Sequence, residues 1–469
     1  LSGLLGFAGT LALVTGLIHL YLWKRLVRDT TRPGRWRRAG GVTILVLALL
    51  TPATLVGTRE GFYWLAWPGY LWLAVMFYLL VLMVTLELPM LVVRLTLGRR
   101  TRAAVPAVPV LAAPTGTETS GTETGGTPAT AGEVTGAAGE VTGAAGEATV
   151  AGRDATGAGR DATVAAGPAS AAAAEPPVPT TPATPGMPDH DPGRRLLLAR
   201  GAAIFSGLTA TGLVGYGVRT ALGPPQIDRV QIPLAKLPRS MDGLRIATVS
   251  DIHIGPLAGR AHTERVVATI NRLDADVVAV VGDLVDGTVG ELGDAAAPLR
   301  DLRARYGSFF VTGNHEYYSG VEEWVVEIDR LGLRVLQNRR QEILARGGVL
   351  DLAGVNDPAG EGLGVAAGPD FDAALGGRDP GRPVVLLAHQ PINVYEAAKH
   401  GVDLQLSGHT HGGQIVPFSY LVGLQQPVVS GHATIDGTQL YVTNGAGFWG
   451  PPVRVGAPPQ VTLVELRSG

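Results

Sequence analysis

The chain has 469 residues, only 17% of them charged, and a positive mean hydropathy, a balance that belongs to a membrane protein with room for two or three domains. A formal net charge of -2 offers no basic surface, so nucleic acid is not an expected partner. Cys 0 excludes disulfides, thiolate metal sites and cysteine nucleophiles, and any metal must be held by His, Asp, Glu or Asn.

Residues 1–23 form a nearly charge-free apolar run of about the length a helix needs to cross a bilayer. The competing reading is a cleaved signal peptide, which the run's length and the lack of basic residues ahead of its apolar core disfavour. Lys24, Arg25, Arg28, Arg32, Arg35, Arg37 and Arg38 follow, and a basic cluster between two apolar runs reads as a cytoplasmic loop. A second run covers 40–57 and a third 62–86, with Trp64, Trp67, Tyr70 and Trp72 near the start of the third, where an aromatic belt would sit. Arg94, Arg99, Arg100 and Arg102 mark a second cytoplasmic flank. Residues 1–102 are therefore expected to be an all-α membrane region with three transmembrane helices.

Residues 103–193 are rich in Ala, Gly, Thr and Pro, with seven-residue near-repeats at 131–137 and 138–144. The repeats lack the large apolar residues a coiled-coil seam buries, so a disordered linker is expected. Arg194-Arg195 then precedes an apolar, Gly-rich run at 196–221 that contains Arg200. Residues 194–223 are expected to form a fourth transmembrane helix or signal anchor with Arg200 near its cytoplasmic end. The paired arginines also match a twin-arginine export signal. If this run crosses, everything after it lies outside the cytoplasm.

From 224 to 469, short β-branched runs alternate with helical and turn stretches, the pattern of an α/β domain with one well-buried core. The run at 245–250 delivers Asp251 and His253, and the run at 277–281 delivers Gly282-Asp283. Residues 308–312 lead into Gly313-Asn314-His315-Glu316, residues 383–388 into His389, and residues 403–407 into Gly408-His409-Thr410-His411. Ligands in open α/β sheets gather at the C-terminal ends of strands, so these segments are expected on one rim. Strand alternation would put His409 and His411 on one side. Of the 10 His, these segments carry His253, His315, His389, His409 and His411; His19, His190, His262, His400 and His432 lie in a span, the linker or surface-like contexts and are not expected to bind metal. With Asp251, Asp283 and Asn314 added, there are more donors than one tetrahedral ion takes, so two ions are the natural reading, with Asp283 able to bridge them. The mixture suits manganese, iron or zinc better than calcium or magnesium alone.

Asp-x-His at Asp251 and His253, Gly-Asp-x-x-Asp from Gly282 to Asp286, Gly-Asn-His-Glu from Gly313 to Glu316, the lone His389, and Gly-His-x-His from Gly408 to His411 stand in the order of one family. Over about residues 227–466 the chain resembles the calcineurin-like binuclear metallophosphoesterases. The strings Ser250-Asp251-Ile252-His253, His389-Gln390-Pro391 and Gly408-His-Thr-His-Gly-Gly-Gln414 are similar to the bacterial membrane-anchored branch.

The resemblance implies a β-sandwich flanked by helices for 224–469. It implies that Asp251, His253, Asp283 and His411 hold one divalent ion, and that Asp283 bridges to a second held by Asn314, His389 and His409. His315 would stand beside the scissile phosphate as a general acid or transition-state stabiliser, with Asp286 and Glu316 as structural partners. Gly287 stands where many family members carry Arg, which leaves no expected phosphate contact there. The implied function is membrane-anchored hydrolysis of phosphoester or pyrophosphate bonds by a water activated between two ions, with lipid-linked or nucleotide-sugar envelope precursors as candidate substrates. A catalytically silent membrane-tethered phosphate-binding or sensing module is the alternative, and the presence of every ligand together with His315 weighs against it. The expected location is the cell membrane, multi-pass, with the catalytic domain on the extracytoplasmic side.

Overall fold

The computed structural model describes residues 2–102 and 192–469, so the expected linker at 103–193 lies outside the described residues except for its last two. Four long helices come first: α1 (Ser2–Leu22), α2 (Arg35–Gly57), α3 (Ala66–Arg102) and α4 (Pro192–Ala221). Among the described residues, Arg35–Gly57, Tyr63–Pro89 and Arg195–Ala221 are long and apolar enough to cross a membrane. Leu22 of α1, Ala74, Met76 and Leu79 of α3, and Ala210 and Val214 of α4 form a packed seam, and the alanines let the backbones approach closely. Arg200, a costly charge in such a helix, donates from Nε to the Thr30 carbonyl at 3.0 Å.

The remainder is built from β1 (Gln226–Leu234), β2 (Leu244–Val249), α5 (Arg260–Asn271), β3 (Val277–Val281), α6 (Val289–Ala296), β4 (Ser308–Val311), α7 (Asn314–Ser319), α8 (Val321–Arg330) and β5 (Leu333–Val335). A second set follows: β6 (Arg339–Ala345), β7 (Gly348–Gly354), β8 (Val384–Leu387), β9 (Leu404–Ser407), β10 (Gly431–Ile435), β11 (Thr438–Val442) and β12 (Gln460–Ser468). These strands make two six-stranded sheets, ordered β1-β12-β2-β3-β4-β5 and β10-β11-β9-β8-β7-β6. Within them β2, β3 and β4 run parallel, as do β7, β8 and β9. Each trio therefore brings its C-terminal ends to one edge.

Strand β3 shows why the polar residues wait for the strand ends. Val277, Ala279 and Val281 face the second sheet and meet Leu352, Val385, Leu387, Leu404 and Leu406. Val278 and Val280 face outward onto Val266 and Ile270 of α5 and Trp324 and Ile328 of α8. Both faces are buried, so the strand is apolar throughout and polar side chains are excluded until it ends. The outer face of the second sheet, with Ala353, Val384 and Leu386, is covered by Phe371, Ala374 and Ala397. The result is a sandwich of two sheets between helices. Each fully buried Val or Leu contributes about 2 kcal/mol, so a charge at Val280 would break the packing of β3 on α5 and α8.

Candidate metal centre

The rim is built from backbone that leaves the strands abruptly. Asp251, His253, Asp283, His409 and His411 have φ of 49°, 48°, 51°, 71° and 53°. This is the left-handed region, which Asp and His tolerate better than most residues other than Gly. Strand β9 ends at Ser407, so His409 and His411 are not related by strand alternation. They serve neighbouring clusters instead: His411 joins Asp251 and His253, while His409 joins Asp283 and His389. Two glycines make room for this. A Cβ on Gly408 would overlap Ser250 Oγ and Asp251 Oδ2, and one on Gly313 would overlap Asp283 Oδ1.

In the first cluster His253 Nε2 lies 3.0 Å from His411 Nε2, and Asp251 Oδ1 lies 3.4 Å from the same His411 atom. In the second, Asp283 Oδ2 is 3.1 Å from His389 Nε2, and Asn314 Oδ1 is 2.9 Å from His409 Nδ1. Asp283 Oδ2 also stands 3.8 Å from His253 Nε2, which places this carboxylate between the clusters. All of the residues picked out from the sequence as ligands thus come together. His190 lies outside the described residues, and His19, His262, His400 and His432 are absent from these clusters.

The ring tautomers favour a cation. His389 Nδ1 is 2.8 Å from the Val281 carbonyl and donates to it, which leaves Nε2 as the atom that meets Asp283. That Nε2 is buried and is without a hydrogen-bond partner, with the Asp283 carboxylate 3.1 Å away. His253 Nδ1 is likewise taken, by Asp286 Oδ1 at 2.8 Å. The unpartnered His389 Nε2, with the Asp251 and Asp283 carboxylates and the other imidazoles converging on the same buried space, is reconciled by positive charge, so the donor set fits divalent cations.

The imidazoles differ in charge: burial opposes a proton on His389, yet Asp283 and Asp251 lift it well above the ordinary histidine range, so an ion there would displace that proton. Burial, with His389 nearby, pushes His409 down to about 4, and burial with His253 and Arg454 holds His411 well below the ordinary histidine range. Both rings are neutral donors. Burial opposes ionisation of Asp283, but His389 and His315 outweigh it and hold its carboxyl well below the usual range.

His315 is placed differently. Its backbone N–H donates to Asp283 Oδ1 at 2.9 Å, and its Nδ1 lies 2.7 Å from Asp286 Oδ1. The ring stands edge-on to Tyr318 and Trp449 at 5.4 and 5.9 Å. Burial works against its charge, yet Asp283 and Asp286 lift it to about 9. His253, Asp286 and His315 also lie close enough to chelate, but they meet through Nδ1–carboxylate hydrogen bonds that are complete without an ion.

Two buried residues brace the rim. Glu316 Oε2 accepts from Asp283 N at 3.0 Å and Gly313 N at 2.6 Å, and its Oε1 accepts from Leu284 N at 2.7 Å. Arg454 is fully buried and donates to the carbonyls of His411 at 2.9 Å, Asn444 at 2.8 Å, Gly447 at 2.9 Å and Ala457 at 3.2 Å. Sequence reasoning named Glu316 as a structural partner but missed Arg454, a lone arginine in a Pro-rich turn that belongs to no motif.

Carboxylate, amide and imidazole donors gathered on one edge of a two-sheet scaffold define a candidate metal centre on an α/β sandwich. The family profile described as calcineurin-like phosphoesterase matches residues 244–413, from the start of β2 to just past His411. A Helicobacter pylori protein described as an uncharacterized metallophosphoesterase is 39% identical over 259 residues, 54% of this chain and 68% of that protein. An Aquifex aeolicus protein of the same description is 34% identical over 252 residues, 52% of this chain and 92% of that one. The chain belongs to the calcineurin-like metallophosphoesterase family. A Danio rerio protein described as a transmembrane protein with metallophosphoesterase domain is 39% identical over 264 residues, 55% of this chain. The chain spans 60% of the length of that relative.

Proposed function

We propose that this chain is a membrane-anchored hydrolase of phosphoester or pyrophosphate bonds. The observation that carries the reading is the Asp283 carboxylate, 3.1 Å from His389 Nε2 and 3.8 Å from His253 Nε2, standing between two clusters of imidazole nitrogens. Asp251, His253, Asp283 and His411 would hold one divalent cation, and Asp283, Asn314, His389 and His409 a second; manganese, iron and zinc suit these donors. When bound, such a pair supplies Lewis-acid charge for the phosphoryl oxygens and acidifies a water. His315, kept protonated by Asp283 and Asp286, gives its proton from Nε2 to the leaving oxygen. Tyr318 and Trp449 wall the ring and limit the water around it.

In this reading the chain is multi-pass and its catalytic domain is extracytoplasmic. The basic residues from Lys24 to Arg38 support it under the positive-inside rule. So does the opposite end of the span: the Tyr63 hydroxyl donates to Glu291 of α6 at 2.6 Å, so the aromatic end of the span adjoins the catalytic domain. Lipid-linked phosphoesters are the substrates this placement favours.

The test uses the full chain in detergent with manganese, zinc or iron, bis(p-nitrophenyl) phosphate and p-nitrophenyl phosphate. Wild type is expected to cleave in a metal-dependent way, Asp283→Ala to lose bound metal and cleavage together, and His315→Asn to keep metal while losing rate. Wild type that binds metal and cleaves no phosphoester, lipid or nucleotide-sugar pyrophosphates included, would leave the binding-module reading in its place. A reporter fused after Gly223 that is active only on the cytoplasmic side would overturn the topology.

A further inference from the structure

The turn that follows His411 leads into the helical bundle. Gln414 pins its start: Nε2 donates to the Trp449 and Pro451 carbonyls at 3.0 and 3.2 Å, and Oε1 accepts from Trp449 N at 3.0 Å. Val455 N then donates to Gln414 O at 2.9 Å and Val416 N to Val455 O at 3.0 Å, so two backbone segments descend side by side. Ile415, Val453 and Val455 pack into the seam that Ala74, Ala210 and Val214 form between α3 and α4. Arg454 N donates to the Gly217 carbonyl of α4 at 3.0 Å. One turn further on, the Phe418 ring meets Phe77 of α3 edge-on, with centroids 6.5 Å apart.

Beyond those contacts the segment turns large apolar side chains outward. Val416 is 42% exposed, Phe418 44%, Leu421 57%, Tyr420 78% and Leu424 81%. Residues 412–431 include no charged side chain. A water-facing loop rarely presents so contiguous an apolar surface.

The depth of Phe77 says what covers it. Phe77 lies inside the span Tyr63–Pro89. At about 1.5 Å per residue it sits roughly 20 Å along the axis from Tyr63 and roughly 10 Å from Tyr70. Trp64, Trp67 and Tyr70 are the aromatic end of that span, the level of the head groups. A segment that touches Phe77 is therefore well below the head groups, among acyl chains. We propose that residues 415–424 form a lip embedded in the apolar layer of the bilayer, covered by lipid acyl chains. Because only Gly412, Gly413 and Gln414 separate it from His411, the lip fixes the metal rim at the membrane surface. The inference requires that α3 spans the membrane and is independent of turnover.

The absence of cysteine makes this directly testable. Leu421→Cys and Leu424→Cys replace exposed side chains, and Leu344→Cys is the aqueous control. Leu344 is 69% exposed and pairs with Val349 at the start of β7, at the sheet edge opposite the rim. Each full-length variant, labelled with an environment-sensitive fluorophore and reconstituted in phosphatidylcholine vesicles, is quenched with doxyl-labelled lipid and with aqueous iodide. Labels at 421 and 424 are expected to be quenched by doxyl lipid and to show iodide quenching several-fold weaker than the label at 344. If either label answers to iodide as the label at 344 does, the lip is not embedded and the proposal fails. Bound-metal content equal to wild type confirms that each variant is folded at the rim.

Discussion

One oxygen of Asp286 ties His315 to the first ligand cluster: Oδ1 lies 2.7 Å from His315 Nδ1 and 2.8 Å from His253 Nδ1. The residue proposed to move a proton and a residue proposed to hold metal are oriented by the same carboxylate. Asp286→Asn should therefore damage both. We expect metal affinity or activity to fall about 10- to 100-fold, the usual cost of losing a group that orients a ligand. Rate should fall as pH rises through the His315 value of about 9, and this alkaline fall should move to lower pH in the variant, because the carboxylate no longer favours the imidazolium. Metal titration and a pH–rate profile read the two effects separately.

Glu316 satisfies the backbone N–H groups of Asp283, Leu284 and Gly313 from a fully buried position. Glu316→Ala leaves these donors without a partner in a space water does not reach, and each such group costs about 1–3 kcal/mol. Chemical denaturation should show a loss of about 3 kcal/mol or more, with bound metal falling because Asp283 is no longer held.

His262 is only 4% exposed, and burial together with Arg265 pushes it down to about 4. It is neutral in the fold, while the unfolded chain takes up a proton below about 6.5. Its contribution to stability is therefore complete above pH 6.5 and is lost as pH falls through that value toward 4. The loss approaches about 3 kcal/mol by pH 4. Stability of His262→Asn relative to wild type, followed by denaturant midpoint from pH 7 to 4, should rise by that amount as pH falls; a flat difference would show that His262 does not titrate in this range.

Arg454 donates to four carbonyls, those of His411, Asn444, Gly447 and Ala457, and its Nη2 lies 3.2 Å from His411 Nδ1. Arg454→Met keeps much of the volume and none of the donors. Each orphaned carbonyl that finds no other donor should cost about 1–3 kcal/mol, the penalty of an unpaired buried acceptor. Occupancy of the His411 cluster should fall before that of the Asp283 cluster, which metal titration with and without added guanidinium would resolve.

The residues at the rim were legible because the central strands are buried on both faces. An all-apolar run such as Val277 to Val281 must deliver its first polar side chain at its end, so Asp283 announced itself, and so did His389 after Val384–Leu387. What was not legible depends on contacts between distant parts of the chain. Strand β12 inserts between β1 and β2, parallel to one and antiparallel to the other, and nothing local to Gln460–Ser468 specifies that pairing. The sorting of His409 and His411 into different clusters follows from left-handed backbone at both, where an extended strand had been expected. Arg454 escaped notice because its partners are carbonyls, which any sequence supplies.

Helix α4 ends at Ala221 and β1 begins at Gln226. The intervening residues 222–225 reach at most about 14 Å when fully extended. A domain on so short a leash cannot search the surrounding volume. With α4 in the bilayer as proposed, it is held in a thin layer at the surface, and molecules confined to that layer would reach it by sliding sideways, whereas those in solution must first find the surface.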